Sequence, residues 1–318
     1  MLNRWILACA VGLSLAAAPA CGPYAGAPGA GPVRPIPRIA RVLLVSVDGL
    51  RPDLALRADA PAIRGLMKRG SFSLWAETTD LAVTLPSHVS MLTGVPPSQH
   101  GIVWNSALPE KRGVYPAWPT LFEIARRAGY TTAMAAGKSK FSTLAKPGTL
   151  TWSFVPESSI TPDAAVTDRA IAWIERSAPQ VLFVHLPEVD SAGHGYGWGS
   201  PEQLAAIAGA DRCIGRLLDA LEKRGVMDST LVLVTADHGG AGKNHGPDDP
   251  RSRMIPWIAA GPDVRADYDL TGEDHLTVRT EDTFATLAYV LGIASPQPIV
   301  GRPVLSIFSM TPERETRH

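Results

Sequence analysis

RVLLVSVD, residues 41–48, decides the fold: an almost unbroken apolar run that ends on a carboxylate. A strand with one wet face alternates polar and apolar residues. This one does not, so it suits a strand buried on both faces of a parallel sheet. Runs of the same kind recur at TTAMAA (131–136), QVLFVHL (180–186), TLVLVTA (230–236) and MIPWIAAG (254–261). Helix-period segments lie between them at 61–70, 119–129, 161–177, 200–225 and 280–293. Several open on Ser or Thr with Pro and close on Gly, as helix ends prefer. The alternation predicts an α/β fold, a doubly wound, mostly parallel central sheet with helices on both faces. In such sheets ligands gather beyond the carboxyl ends of the strands.

The 318 residues, 45% hydrophobic with 30 acidic and 30 basic side chains, are ample for one large core. Zero net charge and the lack of a basic stripe argue against a nucleic-acid partner. Residues 1–20, MLNRWILACAVGLSLAAAPA, read as an export signal: an early Arg, a short apolar run and a small-residue end. Cys21 follows directly and offers a lipidation site for a membrane tether, so the expected location is periplasmic or membrane-anchored in a bacterium. Residues 21–39 read as a Gly/Ala/Pro-rich tether, 40–310 as a single domain and 311–318 as a polar tail. Cys213 sits in a helical pattern and reads as a core residue.

Three of the buried strands run into metal-ligand residue types. The first ends in Asp48; QVLFVHL leads to Asp190 and His194 in EVDSAGHG; TLVLVTA leads to Asp237 and His238, with His245 following in KNHGPDD. Each alone has a structural reading as a turn residue or a core histidine. Together, three Asp and three His at neighbouring strand ends are costly to bury unless cations neutralise them. Mixed Asp and His ligation suits zinc, with another divalent ion such as Mn²⁺ possible. Six ligands can build two sites close enough to flank an in-line phosphoryl displacement. TLPSHVSMLTG, residues 84–94, then offers a nucleophile in Thr84 at the start of a helix, where backbone donors favour an anion. The competing reading makes Thr84 a simple N-cap.

VSVDGLRPD, TLPSHVSMLTGVPPSQHGIVWN, DSAGHG, TADHGG and NHG follow one another as in the alkaline phosphatase superfamily. The chain most closely resembles the type I phosphodiesterase/nucleotide pyrophosphatase branch over about residues 41–262, with the tail motif GRPV at 301–304. The resemblance implies two divalent metal ions, zinc above all. Asp48, Asp237, His238 and the nucleophile Thr84 would hold one; Asp190, His194 and His245 would hold the other. It also implies that Asn105 donates to a non-bridging phosphoryl oxygen and that the partner is a small phosphorylated substrate. The activity so implied is cleavage of phosphodiester or pyrophosphate bonds through a phosphothreonine intermediate.

Two departures bear on the substrate. Leu85 stands where nucleotide-handling relatives carry an aromatic residue to stack on a base. Lys138 and Lys140, in GKSKF, resemble the lysine pair with which phosphonoacetate hydrolases hold a carboxylate; otherwise they are solvated loop charges. A phosphomonoesterase or a phosphonoacetate hydrolase-like enzyme is therefore the alternative on the same site. His88, His100, His185 and His275 read as structural, with His275 in reserve as a ligand. A sulfatase would need Cys or Ser at position 84 and Arg at 88, where Thr84 and His88 stand. A cofactor-independent phosphomutase would add a large inserted domain and lack an export signal. From another class, a decayed surface lipoprotein acting as a binding module would have lost at least one of these ligands.

Overall fold

The computed structural model describes residues 32–107, 113–158, 160–273 and 276–309. The export signal, Cys21, the first part of the tether, His275 and the tail 311–318 lie outside the described residues.

The strands are β1 (Arg41–Val47), β2 (Ser71–Glu77), β3 (Thr132–Ala136), β4 (Trp152–Phe154), β5 (Val181–Leu186), β6 (Thr230–Thr235), β7 (Met254–Ala260) and β8 (Tyr268–Asp269). They form one eight-stranded sheet in the order β4-β3-β5-β1-β6-β7-β2-β8. All five expected strands are present, and β1, β5 and β6 bury almost every residue, as their unalternating sequences require.

The sheet departs from parallel only at β7, which runs antiparallel to β6 and to β2. A parallel neighbour is usually reached through a crossover helix that packs on the sheet, whereas the link from β6 to β7, residues 236–253, holds only the single helical turn Pro250–Arg253 and is otherwise the loop that carries His238 and His245. β2, SFSLWAE, was not anticipated from the sequence. Its pattern is mixed: Ser71 and Ser73 are buried while Trp75 is 62% exposed. Ser71 is tolerated inside because its hydroxyl donates to the Arg265 carbonyl at 2.9 Å.

Helices Pro61–Lys68, Leu121–Arg127, Asp163–Ser177, Pro201–Lys223 and Thr280–Val290 occupy the expected segments. The longest is opened by Ser200, whose hydroxyl accepts from Gln203 N–H at 3.2 Å, and by Pro201 in its first turn. It buries Ile207, Ile214, Leu217 and Leu221 along one stripe, and Cys213 belongs to the same core.

The topology sets the site. β5, β1 and β6 are neighbours, and Ser46 of β1 pairs with His185 on one side and Thr235 on the other, so the three strands end level. β3 continues the row, with Ala136 opposite His185. Four adjacent carboxyl ends therefore deliver Lys138, Asp190, Asp48 and Asp237 to one edge.

Helix Asp163–Ser177 is locked to Glu188–Tyr196, the helix that carries Asp190 and His194, by a reciprocal pair. Asp163 accepts from Glu188 N–H at 3.0 Å and Glu188 accepts from Asp163 N–H at 3.1 Å. The other Asp163 oxygen has no partner, and burial pushes the carboxyl up to about 8. The folded chain thus keeps a proton that the unfolded chain releases near the ordinary value of 3.8. This stabilising contribution is complete at acid pH and lost as pH rises through the folded value. Asp163→Asn should flatten the dependence of Tm on pH between about pH 5 and 8; an unchanged slope would mean that Asp163 does not control it.

Candidate active site

The nucleophile candidate does not cap its helix. Helix Thr84–Thr93 begins at Thr84 itself, with Val83 at the cap position and no capping side chain. Thr84 Oγ1 instead faces His238 Nε2 at 3.3 Å. The backbone donors beside it are fewer than a bare helix start offers. Leu85 N–H donates to Asn105 Oδ1 at 2.9 Å, Pro86 has no N–H, and Ser87 N–H bonds the Val83 carbonyl at 3.1 Å. What the helix start contributes is its dipole, the N–H of Thr84 at the first helical position and a fixed Asn105.

Two groups of three side chains bring their ligand atoms within 4.8 Å of one another: Asp48, Asp237 and His238, and Asp190, His194 and His245. These are the two sets expected from the sequence. In the first, His238 Nε2 lies 3.4 Å from Asp48 Oδ1 and 3.3 Å from Asp237 Oδ2. In the second, Asp190 Oδ1 lies 3.4 Å from His194 Nε2 and 3.8 Å from His245 Nε2. The turn that presents Asp48 depends on Gly49, whose φ of 75° favours glycine and where a Cβ would stand 3.0 Å from Asp190 Cα. Gly49 N–H also donates to Asp237 Oδ1 at 3.1 Å and so joins two ligand turns.

The hydrogen bonds sort the histidines. His194, His238 and His245 each turn Nδ1 to a backbone carbonyl, of Lys243, Gly239 and Ala82 respectively, at 2.8 to 2.9 Å. A carbonyl only accepts, so Nδ1 carries the hydrogen and each Nε2 presents a lone pair to its cluster, as a metal ligand must. Burial, then the neighbouring His245, lowers His238 to about 4 and keeps it neutral. His88 and His185 differ. His88 turns Nδ1 to the Thr84 carbonyl at 2.8 Å and Nε2 to the Ser46 hydroxyl at 2.8 Å. His185 Nδ1 accepts from Gly137 N–H at 3.2 Å, which leaves Nε2–H to donate to Asp48 Oδ2 at 2.9 Å. Both therefore stand behind the ligands, where the sequence reading left them as merely structural. The available signal was a single polar His inside the apolar run VLFVHL.

Charge shows that the two clusters fit divalent cations. Asp48 Oδ1, Asp190 Oδ1 and Asp237 Oδ2 are buried without a hydrogen-bond partner, and these are the oxygens that converge on the Nε2 lone pairs. Burial, then the charge on Asp48, raises the Asp237 carboxyl well above the usual carboxylate range. Burial acts on Asp48 in the same sense, but the Lys138 ammonium and His185 outweigh it and hold Asp48 well below that range. One lysine cannot neutralise three buried carboxylates; two dications can.

Lys138 is only 7% exposed, and its Nζ binds Asp48 Oδ2 at 2.7 Å and Asp190 Oδ2 at 2.5 Å. It bridges the two clusters and is no solvated loop charge. The two carboxylates overcome burial and raise its pKa, so it stays charged. Lys140 stands further out, Nζ 3.1 Å from Asn105 Oδ1, with its pKa lowered by burial and then by Lys138. Leu85 is fully buried in the hydrophobic core, so its side chain does not meet a substrate as the sequence position suggested. A cavity of about 530 Å³ opens beside Lys140, with Trp104, Tyr115, Ser139 and Glu157 in its wall.

A mostly parallel α/β sheet with two three-ligand clusters and a threonine at the carboxyl edge defines an alkaline phosphatase-like fold. The sequence profile of the family described as Type I phosphodiesterase / nucleotide pyrophosphatase matches residues 42–249, and the chain belongs to that family. A bis(5'-adenosyl)-triphosphatase (enpp4) of Mus musculus is 30% identical over 219 residues, 63% of this chain and 47% of that protein. The chain spans about half the length of the curated relatives it matches. The solved murine ectonucleotide pyrophosphatase / phosphodiesterase 5 superposes with a TM-score of 0.70 at 17% identity, covering 85% of this chain and 100% of that one. A 2-O GAG sulfatase gives the same TM-score at 17% identity over 87% of this chain and 76% of its own. Equal fold similarity to both leaves the reaction to be argued from the site.

Proposed function

We propose that this chain is a two-metal hydrolase that cleaves phosphodiester or pyrophosphate bonds of a small substrate, with Thr84 as nucleophile. The observation that carries the reading is Thr84 Oγ1 at the first ligand cluster, 3.3 Å from His238 Nε2, with the second cluster bridged to it through Lys138. Asp48, Asp237 and His238, with Thr84, would hold one ion, and Asp190, His194 and His245 the other; zinc is the ion this donor set suits. Bound there, the ions would lower the pKa of the threonine hydroxyl and neutralise charge on the entering and leaving oxygens.

The protein's own groups do the rest. Thr84 attacks phosphorus as the ester oxygen departs and takes up the proton that the threonine loses; water then attacks the phosphorylated threonine, breaking its P–Oγ1 bond, freeing the phosphoryl product and restoring the hydroxyl. Asn105 Oδ1 already accepts from Leu85 N–H and Lys140, so its NH₂ is left to donate to a non-bridging phosphoryl oxygen. His185 and His88 keep Asp48 and the Thr84 backbone in place from behind. The test is a panel of an aryl phosphodiester, an aryl monoester, a dinucleotide, phosphonoacetate and an aryl sulfate, run with metal analysis. Preference for the diester or dinucleotide is expected; turnover of the sulfate alone would contradict the reading.

A second reading has a specific observation behind it: Lys140 beside Asn105 adds a cation where a monoester carries extra charge or a phosphonoacetate its carboxylate. If that reading holds, Lys140→Ala should lower kcat/KM for the monoester or phosphonoacetate by about 10-fold or more, roughly 1.4 kcal/mol, and spare the diester. Equal loss on all substrates would assign Lys140 to holding Asn105.

A further inference from the structure

We propose that Trp198 is a positioning residue that spaces the two ligand clusters and holds His194 and His245 in register. The proposal rests on the two-metal reading. No ligand atom belongs to Trp198, yet its ring meets all three ligand-bearing turns. A methyl on Gly49, which follows Asp48, would lie 3.2 Å from the indole. One on Gly193, which precedes His194, would lie 2.8 Å from it, and one on Gly240, two residues after His238, 2.3 Å. The indole N–H donates to the Gly49 carbonyl at 2.9 Å, and the Trp198 backbone N–H donates to Gly242, on the loop that leads to His245, at 2.7 Å. The His194 ring meets the indole edge-on at 5.3 Å and the His245 ring at 6.0 Å, between centroids.

The three glycines are thus seats for one rigid bicycle, and the distance between turns is set by its width. The second cluster depends on it more than the first. Both its histidines touch the ring, and the His194 side chain, 43% exposed, has few other walls. His238 is fully buried, and its ring stacks on His245, 3.7 Å between centroids.

Gly193→Ala tests the seat directly, because its methyl must displace the indole. Gly193 lies inside helix Glu188–Tyr196, where alanine favours the helix over glycine, so propensity alone predicts no loss. Gly195 lies in the same helix with nothing within 4 Å of where a methyl would go, and Gly195→Ala is the matched control. Metal-free protein would be titrated with Zn²⁺ against a chromophoric chelator, with Tm measured before metal is added. Wild type and Gly195→Ala should bind two ions. Gly193→Ala and Trp198→Phe should bind one of them about 10- to 100-fold more weakly, as loss of a ligand's support does. Their titrations should resemble that of Asp190→Asn rather than Asp237→Asn, and Gly193→Ala, whose methyl overpacks the indole, should melt somewhat below Gly195→Ala without metal while remaining folded. Two ions bound at wild-type affinity by Gly193→Ala would overturn the proposal, even if Trp198→Phe failed to fold. Fewer than two ions in the wild type would overturn the two-metal reading itself.

Discussion

Thr84→Ala should lower kcat by a factor on the order of 10⁴ while two metal ions remain bound. The expectation follows from where the hydroxyl sits. Thr84 makes no helix cap, and its Oγ1 reaches only the first cluster, so its loss leaves the fold and the charged ligands in place. Asp48, Asp237 and His238 still supply three donors to one ion, and the other cluster is unchanged. Activity should fall alike on every substrate, because the first chemical step is lost and not a contact to one leaving group. Serine at position 84 keeps a hydroxyl and should recover part of the rate. If Thr84→Ala keeps most of its activity with its metals, the attack comes from another group.

Asp237→Asn should act the other way round on metal and stability. Its Oδ2 is one of the partnerless oxygens, and losing that charge should cost the first ion and with it at least about 10³-fold in kcat. In the metal-free chain, by contrast, the carboxyl is a burden, raised well above its usual range by burial and then by Asp48. A group raised in the fold favours folding less and less as pH climbs from its unfolded value towards its folded one, so the sign is destabilising on the alkaline side. The amide keeps the Gly49 N–H bond and drops the charge. Metal-free Asp237→Asn should therefore melt at or above the wild-type temperature at pH 8, whereas with metal the wild type should be the more stable. A variant that still binds the first ion with wild-type affinity would remove Asp237 from the ligand set.

The chain wrote its site into the ends of its strands. RVLLVSVD, QVLFVHL and TLVLVTA have no alternation, and being buried on both faces they had to lie at the centre of the sheet, where β5, β1 and β6 are adjacent. That placement alone brings Asp48, Asp190 and Asp237 together. The direction of β7 was not legible, because strand sequence does not encode direction and the one cue was a link, residues 236–253, with no helix-period segment in it. β2 escaped because Ser71 and Ser73 are buried by virtue of hydrogen bonding, which is invisible in a pattern of apolar residues. Lys138 had two readings, a cation for a substrate carboxylate or a solvated loop charge, because GKSKF shows nothing of the two carboxylates between which the topology sets it. The supporting histidines and Trp198 left only single unusual residues in the sequence, and their roles depend on tautomers and ring contacts that only three dimensions supply.

The central claim is that Thr84 forms a covalent bond to phosphorus. It is tested by quenching the wild-type protein with acid during turnover of an aryl phosphodiester and mapping its peptides by mass spectrometry. The substrate's phosphoryl group, still carrying its retained ester, should be found on Thr84 within residues 84–94, and none should be found on Thr84→Ala. Full turnover with no modified residue, or the group found on a different side chain, would contradict it.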